Sequence, residues 1–294
     1  MKRFIFLMVC ILCNMGVYGQ TTLQYQLKKG DVFKVKQDAE QIITQELDGA
    51  THEITNHIDG ILEFKVLGEL NNGYEVALTF KDLNLKMTSS IQGELMNVKA
   101  KEVNDEDMQS KVFNTILNNP VKMVLAKNGN ILKVQGGDSL VSKMARASGL
   151  EDEFSINMMK KSLENEFGSE ALSNSYKQMT FIYPDKKVNV NDKWENVYNG
   201  KLKTTNVWTL KSIEENKAKI SGKAKVLMDV TDANTVMKLS GTQTTTLTAD
   251  TNTGFIKHML VEGLSTGVST MKQMGGQEIP TTIKSKITYQ LINK

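Results

Sequence analysis

The stretch FKVKQDAEQIITQELDGATHEITNHIDGILEF, residues 33–64, decides the fold. At its centre Asp48-Gly49 suits the positive backbone angles of a two-residue type I′ hairpin turn. Folding the chain about that pair sets Leu47 opposite Ala50, Ile43 opposite Ile54 and Ala39 opposite Ile58. The same register sets Val35 opposite Leu62 and Phe33 opposite Phe64. Strand side chains alternate with a period of two, so all these pairs share one face. The other face receives Lys34 opposite Glu63, Glu40 opposite His57, and a like-charge pair, Asp38 opposite Asp59. A slip of one residue would exchange the faces, so turn and pattern specify one register.

Outward from this hairpin the meander continues. Asn71-Asn72-Gly73 reads as a three-residue loop with a left-handed glycine, pairing Leu70 with Tyr74, Val66 with Leu78 and Phe64 with Phe80. Beyond Phe80 the apolar phase moves to Leu83, Leu85 and Met87, which predicts a β-bulge near Lys81-Asp82. A second copy of the arrangement follows near the C-terminus. Asn191-Asp192-Lys193-Trp194 matches Gly30-Asp31-Val32-Phe33, and Asn199-Gly200 reads as a type I′ turn of a shorter hairpin. Trp208, Leu210 and Ile220 repeat the spacing of Phe64, Val66 and Val76, and the turn at Asn252-Thr253-Gly254 matches that at Asn128-Gly129. The expected fold is α+β: an extensive antiparallel coiled sheet in two related halves, 20–136 and 184–294, within a single unit. A helical insertion at 138–182 places amphipathic helices on one face of that sheet.

The helices are read from 3.6-residue stripes. Met108, Val112 and Ile116 mark one from Glu106 to Asn118, and Leu140, Val141, Met144 and Ala145 mark another, with Asp138 as its cap. Ile156, Met159, Leu163 and Phe167 form a third stripe, and Leu172, Tyr176 and Met179 a fourth.

The N-terminus carries Lys2 and Arg3 ahead of an apolar run from Phe4 to Cys13, with Val17 and Gly19 at the positions a signal peptidase reads. Residues 1–19 are therefore expected to be a signal peptide cut before Gln20. The run is shorter than the roughly 20 residues that cross a bilayer. Both cysteines, Cys10 and Cys13, fall in that segment, so no thiol or disulfide is expected in the mature chain. Removing Lys2 and Arg3 leaves 34 basic against 33 acidic side chains, without a basic block, which argues against nucleic acid as partner. No transmembrane segment is expected in the mature chain. The expected location is the periplasm, the outer-membrane periphery or the medium.

Catalytic signatures fail on context. Gly263, Ser265 and Gly267 match G-x-S-x-G, but no helix start and no histidine follow the serine. His52 and His57 sit at odd spacing on one strand and point to opposite faces, so they cannot chelate together. Asp105-Glu106-Asp107 and Glu151-Asp152-Glu153 open helices, where negative charge complements the helix dipole. No catalytic residue, metal ligand or cofactor is assigned, and the protein is not expected to be an enzyme.

Tyr183 to Trp194, with Pro184-Asp185-Lys186, Val188, Val190, Asp192 and Trp194, resembles a P-D-K-x-V-x-V-G-D-x-W signature. That signature belongs to a family of exported bacterial proteins, mainly from Bacteroidota, defined by a domain of unknown function. Asn191 stands where the family usually has glycine. The resemblance covers most of the mature chain and implies an envelope location without implying catalytic residues. The function expected is a non-catalytic binding or scaffold module with an unknown protein partner. The alternative is a periplasmic carrier of a lipophilic ligand held between sheet and helices. Methionine is flexible and polarizable and suits adaptable apolar sites. The expected apolar pocket is accordingly lined by Met144, Met158, Met159, Leu163 and Met179.

Overall fold

The computed structural model describes residues 20–104, 107–200, 202–231, 235–272 and 275–293. The expected signal peptide lies outside the described residues. Four strands come first: β1 (Val32–Leu47), β2 (Ala50–Leu70), β3 (Gly73–Ser89) and β4 (Gly93–Lys99). Helix α1 (Met108–Asn114) precedes the short hairpin of β5 (Val121–Ala126) and β6 (Ile131–Gln135). Three helices follow: α2 (Gly137–Arg146), α3 (Glu153–Phe167) and α4 (Ser169–Thr180). The second set of strands is β7 (Lys193–Tyr198), β8 (Leu202–Glu214), β9 (Lys217–Thr231), β10 (Thr235–Asp250), β11 (Ile256–Met271) and β12 (Glu278–Asn293).

Among the described residues these strands form one 12-stranded antiparallel sheet in the order β6-β5-β3-β2-β1-β12-β11-β10-β9-β8-β7, with β4 paired to β3. The β1–β2 hairpin has the register expected from Asp48-Gly49: Phe33 faces Phe64, Val35 faces Leu62, Ile43 faces Ile54 and Leu47 faces Ala50. Asp48 and Gly49 both have positive φ, 50° and 78°. The like-charge pair is relieved by side chains, because His57 Nε2 lies 3.4 Å from Asp38 and Asn84 Nδ2 donates to Asp59 at 2.9 Å. The expected bulge is present, since Ile61 pairs with Asp82 while Leu62 pairs with Phe80, leaving Lys81 extra.

The β2–β3 turn differs from expectation. Leu70 pairs with Gly73, Val66 with Val76 and Phe64 with Leu78, around a two-residue turn and a second bulge at Leu67. Gly73 does not need a left-handed φ. It is required because a Cβ there would stand 2.1 Å from the Leu125 carbonyl oxygen on β5. Away from the turn the slip amounts to two residues, so the apolar face survives it. The β7–β8 turn also differs. Tyr198 pairs with Thr204 and Trp194 with Trp208, so the loop is longer than the two residues read from Asn199-Gly200.

The two halves share local geometry where the sequence repeats. Gly30 N donates to the Val66 carbonyl and Val66 N to the Asp31 carbonyl; Asn191 N donates to Leu210 and Leu210 N to Asp192. The Asp31 carboxylate accepts from Lys28 N at 2.9 Å, and the Asp192 carboxylate from Asn189 N at 2.7 Å. A bulge follows each acceptor, at Leu67 and at Lys211.

The helices follow the predicted stripes with two changes: α1 ends at Asn114, short of the expected Asn118, so Ile116 lies beyond it, and α2 takes a different cap. The N-cap of α2 is Gly136, at φ 96°, and the Asp138 carboxylate instead accepts from Ser169 N at the start of α4. Helix α4 stands beside both outer strands of the sheet, β6 and β7. The chain leaving it is latched to β7. The Phe181 carbonyl accepts from Asn196 Nδ2 and the Tyr198 hydroxyl, and the Ile182 carbonyl accepts from Trp194 Nε1. Tyr25 threads between the halves, its N–H donating to Lys127, while Gln26 N donates to Thr253. Around it Phe33 and Phe255 stack at 4.1 Å, and Phe255 meets Tyr25 and Phe64 edge-on. These rings close one end of the sheet's concave face with apolar core.

Candidate functional site

Strand alternation sends the odd-numbered residues of β1 and β12 to the concave face. Pairing then fixes rungs that run across the sheet. Next to the aromatic core lies the rung Leu83, Gly60, Gln37, Tyr289, Met259, Leu247 and Ile220. The following rung is Leu85, Ile58, Ala39, Ile287, Val261 and Thr245. Beyond it Met87, Asn56, Gln41, Ser285, Gly263 and Gln243 stand in line. The next rung is apolar again at Ile54, Ile43 and Ile283.

These rungs enclose a half-open cavity of about 640 Å³. Its walls come from Met87 and Met96 on β3 and β4 and from Leu202, Val226 and Met228 on β8 and β9. In the sheet, β2, β1, β12, β11 and β10 separate those walls. One continuous sheet can line both sides only if it coils into a trough. Strands of 16 to 21 residues agree with such coiling, being far longer than the usual three to ten and carrying bulges that increase twist. Helices α3 and α4 add Glu166, Ser175 and Gln178 to the lining. A smaller space of about 150 Å³ continues toward the core between Phe80, Leu83, Phe167, Leu172 and Tyr176. A polar crevice of about 400 Å³, with Glu164, Glu170, Asn174 and Lys177, meets the trough at Glu166, Ser175, Gln178 and Leu202.

The charged residues that the strands place near the trough lie on the convex phase of the sheet. Glu40, His57 and Lys86 border the cavity, but they stand in register on the opposite phase of β1, β2 and β3, where His57 meets Asp38 and Lys86 meets Glu94. Glu40 also lines an outer groove with Lys36, Asp38 and Lys286, which places that phase on the convex side. Glu166 is then the one charged side chain that the lining brings in from the helices, among the described residues. Burial pushes the Tyr289 phenol up to about 12, so it lines the trough as a neutral hydroxyl.

The methionines predicted for the site lie elsewhere. Met144 and Met179 are fully buried in the core, Met159 and Leu163 pack partly buried against it, and Met158 is 58% exposed. None of the five borders the trough, so the expected lining is corrected to Met87, Met96 and Met228 on the sheet, with Glu166, Ser175 and Gln178 on the helices. The α2 and α3 stripes fill space above the sheet, and methionine there plugs gaps. The signal that would have found the trough is on β1. Gln37, Gln41 and Gln45 interrupt an inward phase that is otherwise apolar.

The other candidate chemistries are placed as follows. Ser265 lies in the middle of β11, opposite Ile283, so the G-x-S-x-G match has no strand-to-helix turn. His52 bonds Ser89 at 3.0 Å, apart from His57 and its Asp38 partner. Asp107 caps α1, and Asp152 caps α3; the Ser155 N–H and hydroxyl hold the Asp152 carboxyl below its usual range. Asp105 and Glu106 lie outside the described residues. Trp194 and Trp208 pair within the core. Among the described residues no three His, Cys, Asp or Glu side chains cluster as a metal site would require, and no helix is long and apolar enough to cross a membrane.

Comparison with known proteins gives limited likeness to solved structures. A lipovitellin structure, described for its lipid–protein interactions, superposes with a TM-score of 0.49 at 12% identity over 91% of this chain and 26% of that one. The chain thus spans about a quarter of the lipovitellin chain. An outer-membrane channel of Pseudomonas putida F1 gives a TM-score of 0.27 at 8% identity, over 95% of this chain and 99% of the channel. DynF, from the dynemicin pathway of Micromonospora chersina, gives 0.24 at 8% identity, over 95% of this chain and 89% of DynF. No curated protein matches the sequence. A family model does match, over residues 71–256, and by it the chain belongs to the family of unknown function DUF6263.

Proposed function

We propose that the protein is an exported, non-catalytic binding module that carries a lipophilic ligand in the trough of its coiled sheet. The observation that carries this reading is the half-open cavity of about 640 Å³, whose two walls come from opposite flanks of one sheet. Its volume lies within the few hundred to about 1,000 Å³ typical of small-molecule sites. The inward side chains of Ala39, Ile58, Leu85, Val226, Ile283 and Ile287 give apolar contact along its length. A solid core would have filled this space, because interiors pack to crystal-like density.

The test is binding of N-phenyl-1-naphthylamine, a neutral apolar fluorophore, to the mature chain. Fluorescence enhancement with saturable binding is expected. Ser285→Trp places an indole in the middle of the trough and should weaken binding at least ten-fold, whereas Met158→Trp, on the exposed side of α3, should leave it unchanged. Equal binding by the wild type and Ser285→Trp would remove the trough as the site.

A further inference from the structure

We infer that the trough selects a neutral amphiphile, a hydrocarbon chain carrying an uncharged amide, ester or hydroxyl group, over a fatty acid anion. This inference rests on the carrier reading and adds the chemistry of the ligand. The rung of Asn56, Gln41, Ser285 and Gln243 forms an uncharged hydrogen-bonding belt across the concave face. Apolar rungs flank it, with Ile58, Ala39 and Ile287 on one side and Ile54, Ile43 and Ile283 on the other. Asn56 Nδ2 donates to Gln41 Oε1 at 3.2 Å, which ties two of the amides together within the lining. Amides and a hydroxyl in the lining of a cavity fit a neutral polar group on the ligand, such as an amide, an ester or a hydroxyl.

Charge argues in the same direction. The basic side chains among the described lining residues, Lys86 and His57, lie on the opposite phase of β3 and β2 and are engaged by Glu94 and Asp38, so a carboxylate or phosphate at this level finds no free partner in them. Burying an unpaired charge is strongly unfavourable. Amide and hydroxyl groups of the wall instead satisfy a neutral polar group, which must otherwise lose its hydration when the chain enters. The position of the belt between two apolar rungs places that group part way along the ligand, at the junction of chain and head.

The experiment is displacement of N-phenyl-1-naphthylamine from the mature chain by three ligands of one chain length at pH 8. These are a monoacylglycerol, an N-acylethanolamide and the fatty acid. The two neutral ligands should displace the probe at concentrations at least ten-fold lower than the anion. In Gln41→Leu/Asn56→Leu that preference, referred to the variant's own probe affinity, should shrink to within two-fold. An anion that displaces as well as the neutral ligands would overturn the inference with the carrier reading intact. So would a preference that survives in the double variant. Absence of probe binding by the wild type would remove the carrier reading and this inference with it. The wild-type series decides the matter alone should the double variant fail to fold.

Discussion

At the scale of single residues, backbone conformation explains departures that side-chain chemistry does not. Asn191 stands where the family signature has glycine, and its φ is +74°, close to the +94° of Gly30 in the first half. Asparagine is among the few residues that occupy this region readily, so the substitution keeps the turn. Replacing Asn191 with glycine should be neutral or stabilise by a few tenths of a kcal/mol, and with valine should cost about 1–2 kcal/mol. Urea unfolding of the two variants checks both signs. Gly49 offers a companion case. Its φ is +78° and a Cβ there would meet nothing within 4 Å, so Gly49→Val should cost about 1–2 kcal/mol from φ alone. Gly129, also at positive φ, would set a Cβ 1.8 Å from the Thr180 carbonyl oxygen, so Gly129→Ala should be far more damaging.

At the scale of elements, the long hairpin was legible because two independent signals, the Asp48-Gly49 turn and the alternation from Phe33 to Phe64, agree on one register. The β2–β3 hairpin was not, because Gly73 serves the close approach of β5, a strand that begins only at Val121. Local sequence carries no record of such an approach. Helix α2 shows the same limit, since Asp138 caps α4 across space. The latch between the end of α4 and β7 was equally hidden, because its acceptors are backbone carbonyls of Phe181 and Ile182. Tyr198→Phe removes one of two donors to Phe181 and should cost about 1 kcal/mol, the net worth of a hydrogen bond. Asn196→Ala with Tyr198→Phe leaves that carbonyl without either donor and should cost more than the sum of the single changes. A double-mutant cycle in urea measures the difference.

At the scale of the whole molecule, length and alternation made the coiled sheet legible, while the trough was misplaced onto helical methionines. Periodicity reports which face of a helix is buried but not whether the buried space is full. The glutamines at 37, 41 and 45 carried the better signal. The buried tyrosines bind the two halves into one pH response. Burial raises the phenols of Tyr25, Tyr176, Tyr183, Tyr198 and Tyr289, the last to about 12. The folded state then keeps these protons where the unfolded chain, with phenols near 10, loses them. Their contribution to stability is complete below about pH 10 and falls as pH rises through 10 toward 12 and above. Tyrosinate absorbance at 295 nm should therefore appear together with loss of the sheet's circular dichroism, and ionisation well ahead of unfolding would contradict this burial.

The central claim is that the trough holds a ligand, and native mass spectrometry of the protein purified from its own host tests it most directly. The account predicts a chain beginning at Gln20 that carries a neutral lipid-like adduct, released on activation and absent from Ser285→Trp prepared in parallel. A bare mass for the wild type, or an adduct retained equally by Ser285→Trp, would contradict it.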